Sequence, residues 1–136
     1  MSGSIFTPST LMTTYLPDNT TETITPAYVR NFCESAFGVP TSAQSASYAI
    51  LVTDRGTVIN VTSATPVNIT VNSGVLAANH QFGIRQLGAG QVTVVAGSGL
   101  TRQSSTGTFA TRTTYSLISV QVHSDGTTLL VDGDLS

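Results

Sequence analysis

Apolar and polar residues alternate with a period of two from Tyr48 onwards, which is the pattern of β-strands with one buried face. Clusters of turn-forming residues such as Asn72-Ser73-Gly74 separate the alternating segments. The predicted strands are residues 48–53, 57–62, 67–71, 82–87, 91–95, 115–122 and 128–131. Short strands with turns between them predict an all-β sandwich or barrel-like domain, and over residues 48–136 we expect a β-sandwich, of jelly-roll or another strand order.

Two pairs of neighbouring strands are expected to form β-hairpins. The first pair is 82–87 with 91–95, and the second is 115–122 with 128–131. Glycine adopts positive φ without steric cost, so Gly88-Ala89-Gly90 predicts a tight turn in the first hairpin. Asp125-Gly126 favours a primed turn in the second. Residues 100–114 are rich in Thr, Ser and Gly and are expected to form an exposed loop.

A single short helix is predicted ahead of the strands. Thr25 is a good N-cap, Pro26 suits the first helical position, and Gly38 suits the position just past the end. The apolar residues recur at helical spacing and form one face: Val29, Phe32, Cys33, Ala36 and Phe37. This face either packs on the core of the same chain or anchors the chain to a partner.

The region before the strands divides into an arm, the helix and a linker. Residues 1–21 show no sustained period and predict an extended arm, and the small polar residues of 39–47 predict a linker. The boundary is therefore placed between 1–47 and 48–136. Because an extended arm cannot bury its apolar side chains in a core of its own, the arm and helix are expected to bind a neighbouring subunit. The candidate contact residues are Phe6, Leu11, Tyr15, Leu16, Tyr28 and Phe32.

Charge and hydropathy exclude some classes of partner. Charged residues make up 9% of the chain, far below the roughly 25% of a typical soluble domain, and lysine is absent. With a net charge of −2 and scattered arginines, binding to nucleic acid through its phosphates is disfavoured. The sequence holds no apolar run long enough to span a membrane, and its first residues lack the pattern of a secretory signal. Synthesis in the cytoplasm is expected.

No combination of reactive residues predicts catalysis or metal binding. His80 and His123 belong to different elements, and Asp132-Gly133-Asp134 lacks the further oxygen ligands that Ca²⁺ needs. Cys33 is expected to be a half-buried apolar residue of the helix. The glycine-rich segments open no helix and have no lysine beside them, which disfavours a phosphate-binding loop. We therefore expect a protein without enzymatic activity, cofactor or metal.

Several short motifs resemble the small C-terminal β domain of tailed-bacteriophage tail-fibre, head-fibre and capsid-decoration proteins. They are Gly88-Ala89-Gly90-Gln91-Val92-Thr93-Val94, Ala96-Gly97-Ser98-Gly99, Tyr115-Ser116-Leu117-Ile118, and Leu129-Leu130-Val131 with Gly133-Asp134-Leu135. Thr128 stands where an aromatic residue is common, and Asp132 is an extra residue, which leads us to expect a bulge or shift in the last strand. The resemblance implies a non-enzymatic virion surface component that forms homo-oligomers.

Three hypotheses for function follow. In the first, the protein decorates a phage capsid, and residues of the arm and helix bind the major capsid protein or neighbouring copies, as a trimer or dimer. In the second, it is a head-fibre or short tail-fibre adhesin that binds host glycan through residues 100–114. The third, a small hydrolase, has no nucleophile, base and orienting residue that can be named. The first hypothesis is preferred because 136 residues suit a compact protein present in many copies.

Overall fold

The computed structural model describes residues 25–136, which form one α-helix, nine strands and a short 3₁₀ turn at Val52–Asp54. The helix is α1, Pro26–Phe37. The strands are β1 Thr41–Gln44, β2 Tyr48–Ala49, β3 Val58–Val61, β4 Val67–Val71, β5 Gln81–Gln86, β6 Val92–Ala96, β7 Thr101–Gln103, β8 Leu117–Val122 and β9 Thr128–Gly133. The expectation of an all-β fold with one short helix is confirmed for these residues.

The strands form two sheets, and the chain alternates between them from β1 to β6. One sheet has six strands in the order β1-β3-β5-β8-β9-β7, and the other has three in the order β2-β4-β6. Strands β1, β3 and β5 are parallel, as are β2, β4 and β6. Each new strand therefore stacks on the strand two before it. This parallel stacking differs from the antiparallel pairing that a jelly-roll implies.

The segment that contains β3 and β4 stacks on the next segment, which contains β5 and β6, with a spacing of 25 residues. Val58 of β3 is paired with Gly83 of β5, and Val67 of β4 is paired with Val92 of β6, so each position differs from its partner by 83 − 58 = 92 − 67 = 25. Since the two sheets advance by the same number of residues, the corners between them also stack. The distances within these corners decide which residues fit there.

A single apolar core lies between the sheets. Alternate residues of each strand face inward, as the burial of Ile59 and Val61 on β3 shows. Both sheets contribute completely buried side chains, including Ile84 and Ile118 from one and Ile69 and Val94 from the other. Branched aliphatic residues fit a pleated surface well, which explains why the sequence period of two located most of these strands.

The expected hairpin between residues 82–87 and 91–95 is wrong. Strand β5 pairs with β3 and β8, whereas β6 pairs with β4 in the other sheet. Gly88-Ala89-Gly90 is a corner that passes from one sheet to the other, and neither glycine has positive φ. A Cβ atom on Gly88 would lie 2.0 Å from the carbonyl oxygen of Ser63, and one on Gly90 would lie 2.0 Å from that of Thr65. Glycine is needed here for close stacking of corners, not for turn geometry.

The second hairpin is confirmed, with a different turn. Strands β8 and β9 pair antiparallel, but Gly126 has positive φ and Asp125 does not, so the turn is not the primed type that was expected. Pairing stays in regular register from Leu129 opposite Val122 to Asp132 opposite Ser119. The expected bulge or shift in the last strand is therefore wrong, because Asp132 extends the ladder instead of interrupting it.

Two short strands occupy segments that were expected to lack structure. Strand β1 lies in the predicted linker, 39–47, and pairs with β3. Strand β7 lies in the predicted loop, 100–114, and pairs with β9. Further along that loop, Thr111 is completely buried, and its Oγ1 accepts a hydrogen bond from the backbone N–H of Val92 and donates one to Gln86 Oε1. The loop is tied to the sheets by this buried polar contact.

The helix α1 has the predicted boundaries. The Thr25 side chain accepts a hydrogen bond from the backbone N–H of Tyr28 at 3.3 Å, Pro26 begins the helix, and the Gly38 N–H donates to the Glu34 carbonyl at 2.8 Å. These contacts satisfy polar groups that every helix leaves unpaired at its ends. Local sequence signals therefore sufficed to place this element.

Candidate functional site

The predicted contact residues fall into two groups. Phe6, Leu11, Tyr15 and Leu16 lie outside the described residues. Tyr28 and Phe32 lie on α1, where the Tyr28 side chain is half-buried and Phe32 is exposed. The prediction that these side chains bind a partner therefore concerns, within the described structure, the helix alone.

The apolar face of α1 is turned to solvent. Val29 is 49% exposed, Phe32 43% and Phe37 92%, and Cys33 is exposed as well. Among residues 26–37, Ser35 is the buried one. The expectation that Cys33 is half-buried is wrong because the face to which it belongs does not pack on the core. We call Val29, Phe32, Cys33, Ala36 and Phe37 the helix surface.

A second surface lies on the outside of the six-stranded sheet. On its central strands, every second residue faces away from the core. We call the surface formed by six of these residues the outer sheet face: Val58, Gly83, Arg85, Leu117, Ser119 and Asp132. Its centre is a shallow apolar depression of about 360 Å³, floored by Gly83. A Cβ atom on Gly83 would lie 3.1 Å from Val58 Cγ2 and 3.8 Å from Leu117 Cδ1, so the missing side chain creates the hollow.

Two charged residues flank this depression on opposite sides. Arg85 on β5 is directly paired with Leu117, and Asp132 on β9 is directly paired with Ser119. Strand spacing and rise per residue place their Cα atoms about 12 Å apart on a diagonal across β8. No hydrogen bond or ion pair joins either side chain to another of the described residues. The face thus carries one cation and one anion with an apolar centre between them.

The other charged groups of the sheet region have partners. Arg112 Nε lies 3.0 Å from Asp134 Oδ1, and Arg102 stacks over the Phe109 ring at 4.3 Å from its centroid. Asp54 Oδ2 accepts hydrogen bonds from the Tyr48 hydroxyl at 2.9 Å and from the Leu51 N–H at 2.8 Å. Burial, followed by this hydrogen bond and the charge of Asp54, raises the pKa of Tyr48 to about 12. These contacts hold the fold together. Arg85 and Asp132 differ from these residues, because their side chains have no such partner among the described residues.

The histidines and the carboxylates of the C-terminal segment also have local roles. His80 Nδ1 accepts a hydrogen bond from the Ala77 N–H at 3.2 Å, inside a turn. His123 Nδ1 lies 3.3 Å from Asp125 Oδ2 in the β8–β9 turn. The Asp125 carboxylate accepts hydrogen bonds first from the Thr127 N–H and then from the side chain and N–H of Thr128, and these lower the pKa of Asp125 well below its usual range. Asp125 therefore fastens the turn.

A small polar hollow lies beside the outer sheet face. It measures about 230 Å³ and is lined by Gln103, Ser104, Ser105, Leu130 and Asp132. Ser104 Oγ donates to the Thr108 carbonyl at 2.8 Å, which closes residues 104–108 into a compact turn. Residues 103–105 of the predicted glycan-binding loop thus line this hollow, whereas Thr111, further along the loop, is completely buried.

The outer sheet face is not evident from the sequence. Its six residues come from four strands that are far apart in the chain, and they meet only because β3, β5, β8 and β9 are neighbours in the sheet. The one local signal was Gly83, a glycine in the middle of a strand pattern, which often marks close approach by other atoms or a missing side chain.

Within residues 25–136, no group of three His, Cys, Asp or Glu side chains could hold a metal ion. No helix in the same range is long and apolar enough to cross a membrane. Comparison with family models, curated proteins and solved structures finds no significant match to this chain. The geometry of the described surfaces therefore carries the functional argument.

Proposed function

We propose that this protein is a structural component of a phage virion that decorates the capsid and stabilises it through non-covalent contacts. The observation that supports this best is the helix surface. An amphipathic helix normally turns its apolar stripe towards the core of its own domain. Here Phe37 is 92% exposed and Phe32 43%, so the stripe is available to a groove on another chain.

The sheet region supports the same proposal as a compact scaffold. We treat its two facing sheets as a β-sandwich-type body that projects from the shell, with α1 at the attached end. A protein that binds assembled shells but not dispersed subunits shifts the equilibrium towards assembly by mass action. No reaction is needed for this role. The partner is the major capsid protein.

Binding to undecorated capsids tests the proposal. The variant replaces Phe32 and Phe37 by serine, and the matched control is Leu87→Ser, which changes an exposed apolar residue of the sheet region that is 37% exposed. We expect saturable binding by the wild type and the control, and binding at least about tenfold weaker by the helix variant, since buried aromatic anchors dominate such interfaces. Sedimentation of capsids with bound protein measures this.

Two results would contradict the proposal. One is equal binding by the helix variant and the wild type, and the other is the absence of capsid binding by every form.

A truncated form for the same assay should begin at Val39, since removing residues beyond Thr41 would delete β1 from the edge of the sheet. Loss of binding by such a longer deletion would report unfolding of the sheet edge as well as loss of the helix.

The hollow beside the outer sheet face favours a second candidate, a head-fibre or short tail-fibre adhesin that binds host glycan. Gln103, Ser104 and Asp132 offer hydrogen-bond donors and acceptors beside apolar Leu130. We expect this activity to show as glycan-array binding that is lost in Gln103→Ala and kept in Phe37→Ser. Capsid binding without glycan binding would decide for decoration.

A further inference from the structure

We propose that the outer sheet face binds a second copy of this chain face to face, in a two-fold symmetric dimer in which Arg85 of each copy pairs with Asp132 of its partner. The proposal is independent of the virion role, because it concerns a different surface from α1 and requires no capsid. It rests on the arrangement of charge around an apolar centre.

The charges are self-complementary. A two-fold axis that runs parallel to the sheet, midway between Arg85 and Asp132, exchanges the two positions when a second copy is turned over onto the first. The cation of one copy then faces the anion of the other at both ends of the diagonal. An isologous interface requires this reciprocal matching, in which residue i meets residue j and j meets i.

The state of these two side chains in the single chain supports this. Arg85 and Asp132 are charged residues of the sheet region that make no hydrogen bond or ion pair with other described residues, whereas Arg112, Asp134 and Asp125 are all paired. Charged residues are scarce in this sequence, at 9%, so two unpaired opposite charges on one face are informative. Complementary charges across an interface fix its orientation, and like charges that face each other across it oppose binding.

The apolar centre supplies the contact area. Leu117 is 45% exposed and stands beside the depression at Gly83 and Val58. Near the proposed axis, Leu117 of one copy approaches Leu117 of the partner subunit, and the hollow at Gly83 gives the side chains room to pack. Two sheets that pack face to face are about 10 Å apart, a gap that an arginine side chain bridges to reach an aspartate.

The size of the face predicts a weak dimer. Its four strands, spaced about 4.8 Å apart and each contributing about five residues, give a face of roughly 320 Å² per copy. The resulting total of about 640 Å² lies below the roughly 1,000 Å² expected for a stable interface. We therefore expect self-association that depends on concentration and becomes visible in the high micromolar range.

Charge reversal provides the test, measured by sedimentation equilibrium of the full chain from about 10 µM to 1 mM, concentrations that bracket a weak dimer. Arg85→Glu and Asp132→Arg each place like charges opposite one another at both ends of the interface. Each variant alone should dimerise at least about tenfold more weakly than the wild type. In an equimolar mixture of the two, both contacts join opposite charges again, so dimers should return. Arg30→Glu, an equal change of charge on α1, should dimerise like the wild type.

The mixing experiment separates recognition from misfolding, because an unfolded variant cannot be rescued by another variant. The proposal is overturned if the wild type stays monomeric throughout this range, as it would if this face served a glycan or another protein instead. It is equally overturned if the single variants dimerise normally, if mixing restores nothing, or if Arg30→Glu weakens dimerisation as much as Arg85→Glu.

Discussion

The helix α1 and the two sheets treat apolar residues in opposite ways. In the sheets, inward-facing side chains such as Ile59, Ile84 and Ile118 are completely buried. On α1, Val29, Phe32 and Phe37 are exposed. Both regions show clear apolar periodicity in the sequence, yet in one case the period identifies a core and in the other a surface.

The difference teaches what periodicity can establish. A period of two or of 3.6 shows that a segment has an apolar side, since this follows from backbone geometry. It does not show what covers that side. In the sheets the second sheet covers it, whereas on α1 the described chain does not, and burial energy is therefore concentrated in the sheets. Substitutions in the two regions should have correspondingly different effects.

The largest contrast is expected between Ile84→Ala and Phe37→Ala. Ile84 is completely buried between the sheets, so its truncation leaves a cavity and should lower the free energy of unfolding by about 2–5 kcal/mol. Phe37 is 92% exposed, and its truncation should change that free energy by less than about 0.5 kcal/mol. Urea unfolding of each variant measures both. Similar losses in the two variants would mean that α1 contributes to the core and would refute the contrast.

The second-largest loss of stability is expected where the corners between the two sheets stack closely on each other. The Cβ atom introduced by Gly90→Ala would lie 2.0 Å from the backbone oxygen of Thr65, so the corner must shift, and a loss of about 1–3 kcal/mol is expected. Gly83→Ala is the control, because its nearest neighbour is the Val58 side chain at 3.1 Å and its loss should be about 1 kcal/mol or less. Thermal unfolding that ranks Gly83→Ala below Gly90→Ala in stability would contradict the role assigned to the corner.

Capping tests whether α1 unfolds apart from the sheets. Thr25→Ala removes the hydrogen bond to the Tyr28 N–H and should weaken the helix by about 1 kcal/mol. Amide exchange in α1 should accelerate about fivefold, the factor that corresponds to about 1 kcal/mol, while exchange in β5 and β8 stays unchanged. Thr25→Ser, which keeps a hydroxyl, should exchange like the wild type. Faster exchange in the sheets as well would show that helix and sheets unfold as one unit.

Local signals account for what the sequence predicted correctly. Thr25, Pro26 and Gly38 each act within one turn of the helix, and this is why α1 was predicted with its boundaries. Most strands were found for a similar reason, since alternation within a strand reports on its own two faces. The β8–β9 hairpin was also found because its strands are adjacent in the chain and its turn carries Gly126.

Partner choice between distant strands accounts for what was missed. Gly88 and Gly90 suggested a hairpin because glycine serves both tight turns and close approach, and only the stacked corner at Ser63 and Thr65 distinguishes the two roles. The repeat of 25 residues was a possible signal, but few identical residues mark it. Strand β1, Thr41–Gln44, has no apolar residue apart from alanine, so no alternation of apolar and polar residues predicts it.

The helix surface could be predicted from local sequence signals, whereas the outer sheet face depends on pairing between distant strands. Phe32 could be named from the helical period, although whether it faced a core or a partner stayed open. Arg85 and Asp132 could not be associated, because they are 47 positions apart (132 − 85) and meet on one face only through β8. Surfaces on a sheet depend on strand order, which is not encoded locally.

Acid should weaken the sheet region through Asp125 while the capping contacts of α1 remain. Hydrogen bonds from Thr127 and Thr128 hold the pKa of Asp125 below its usual range in the folded chain, so the charged form is favoured by folding. A group with a lowered folded pKa stabilises the fold above its unfolded pKa of about 3.9, and this contribution is lost as pH falls through the folded value.

Asp125→Asn keeps the side-chain shape without the charge. The wild type should therefore melt at a higher temperature than Asp125→Asn at pH 6, with the difference shrinking below about pH 4. Because Asp125 is exposed, this effect should be the smallest of the four. A difference that stays constant from pH 6 to strongly acidic solution would mean that the carboxylate charge does not fasten the β8–β9 turn.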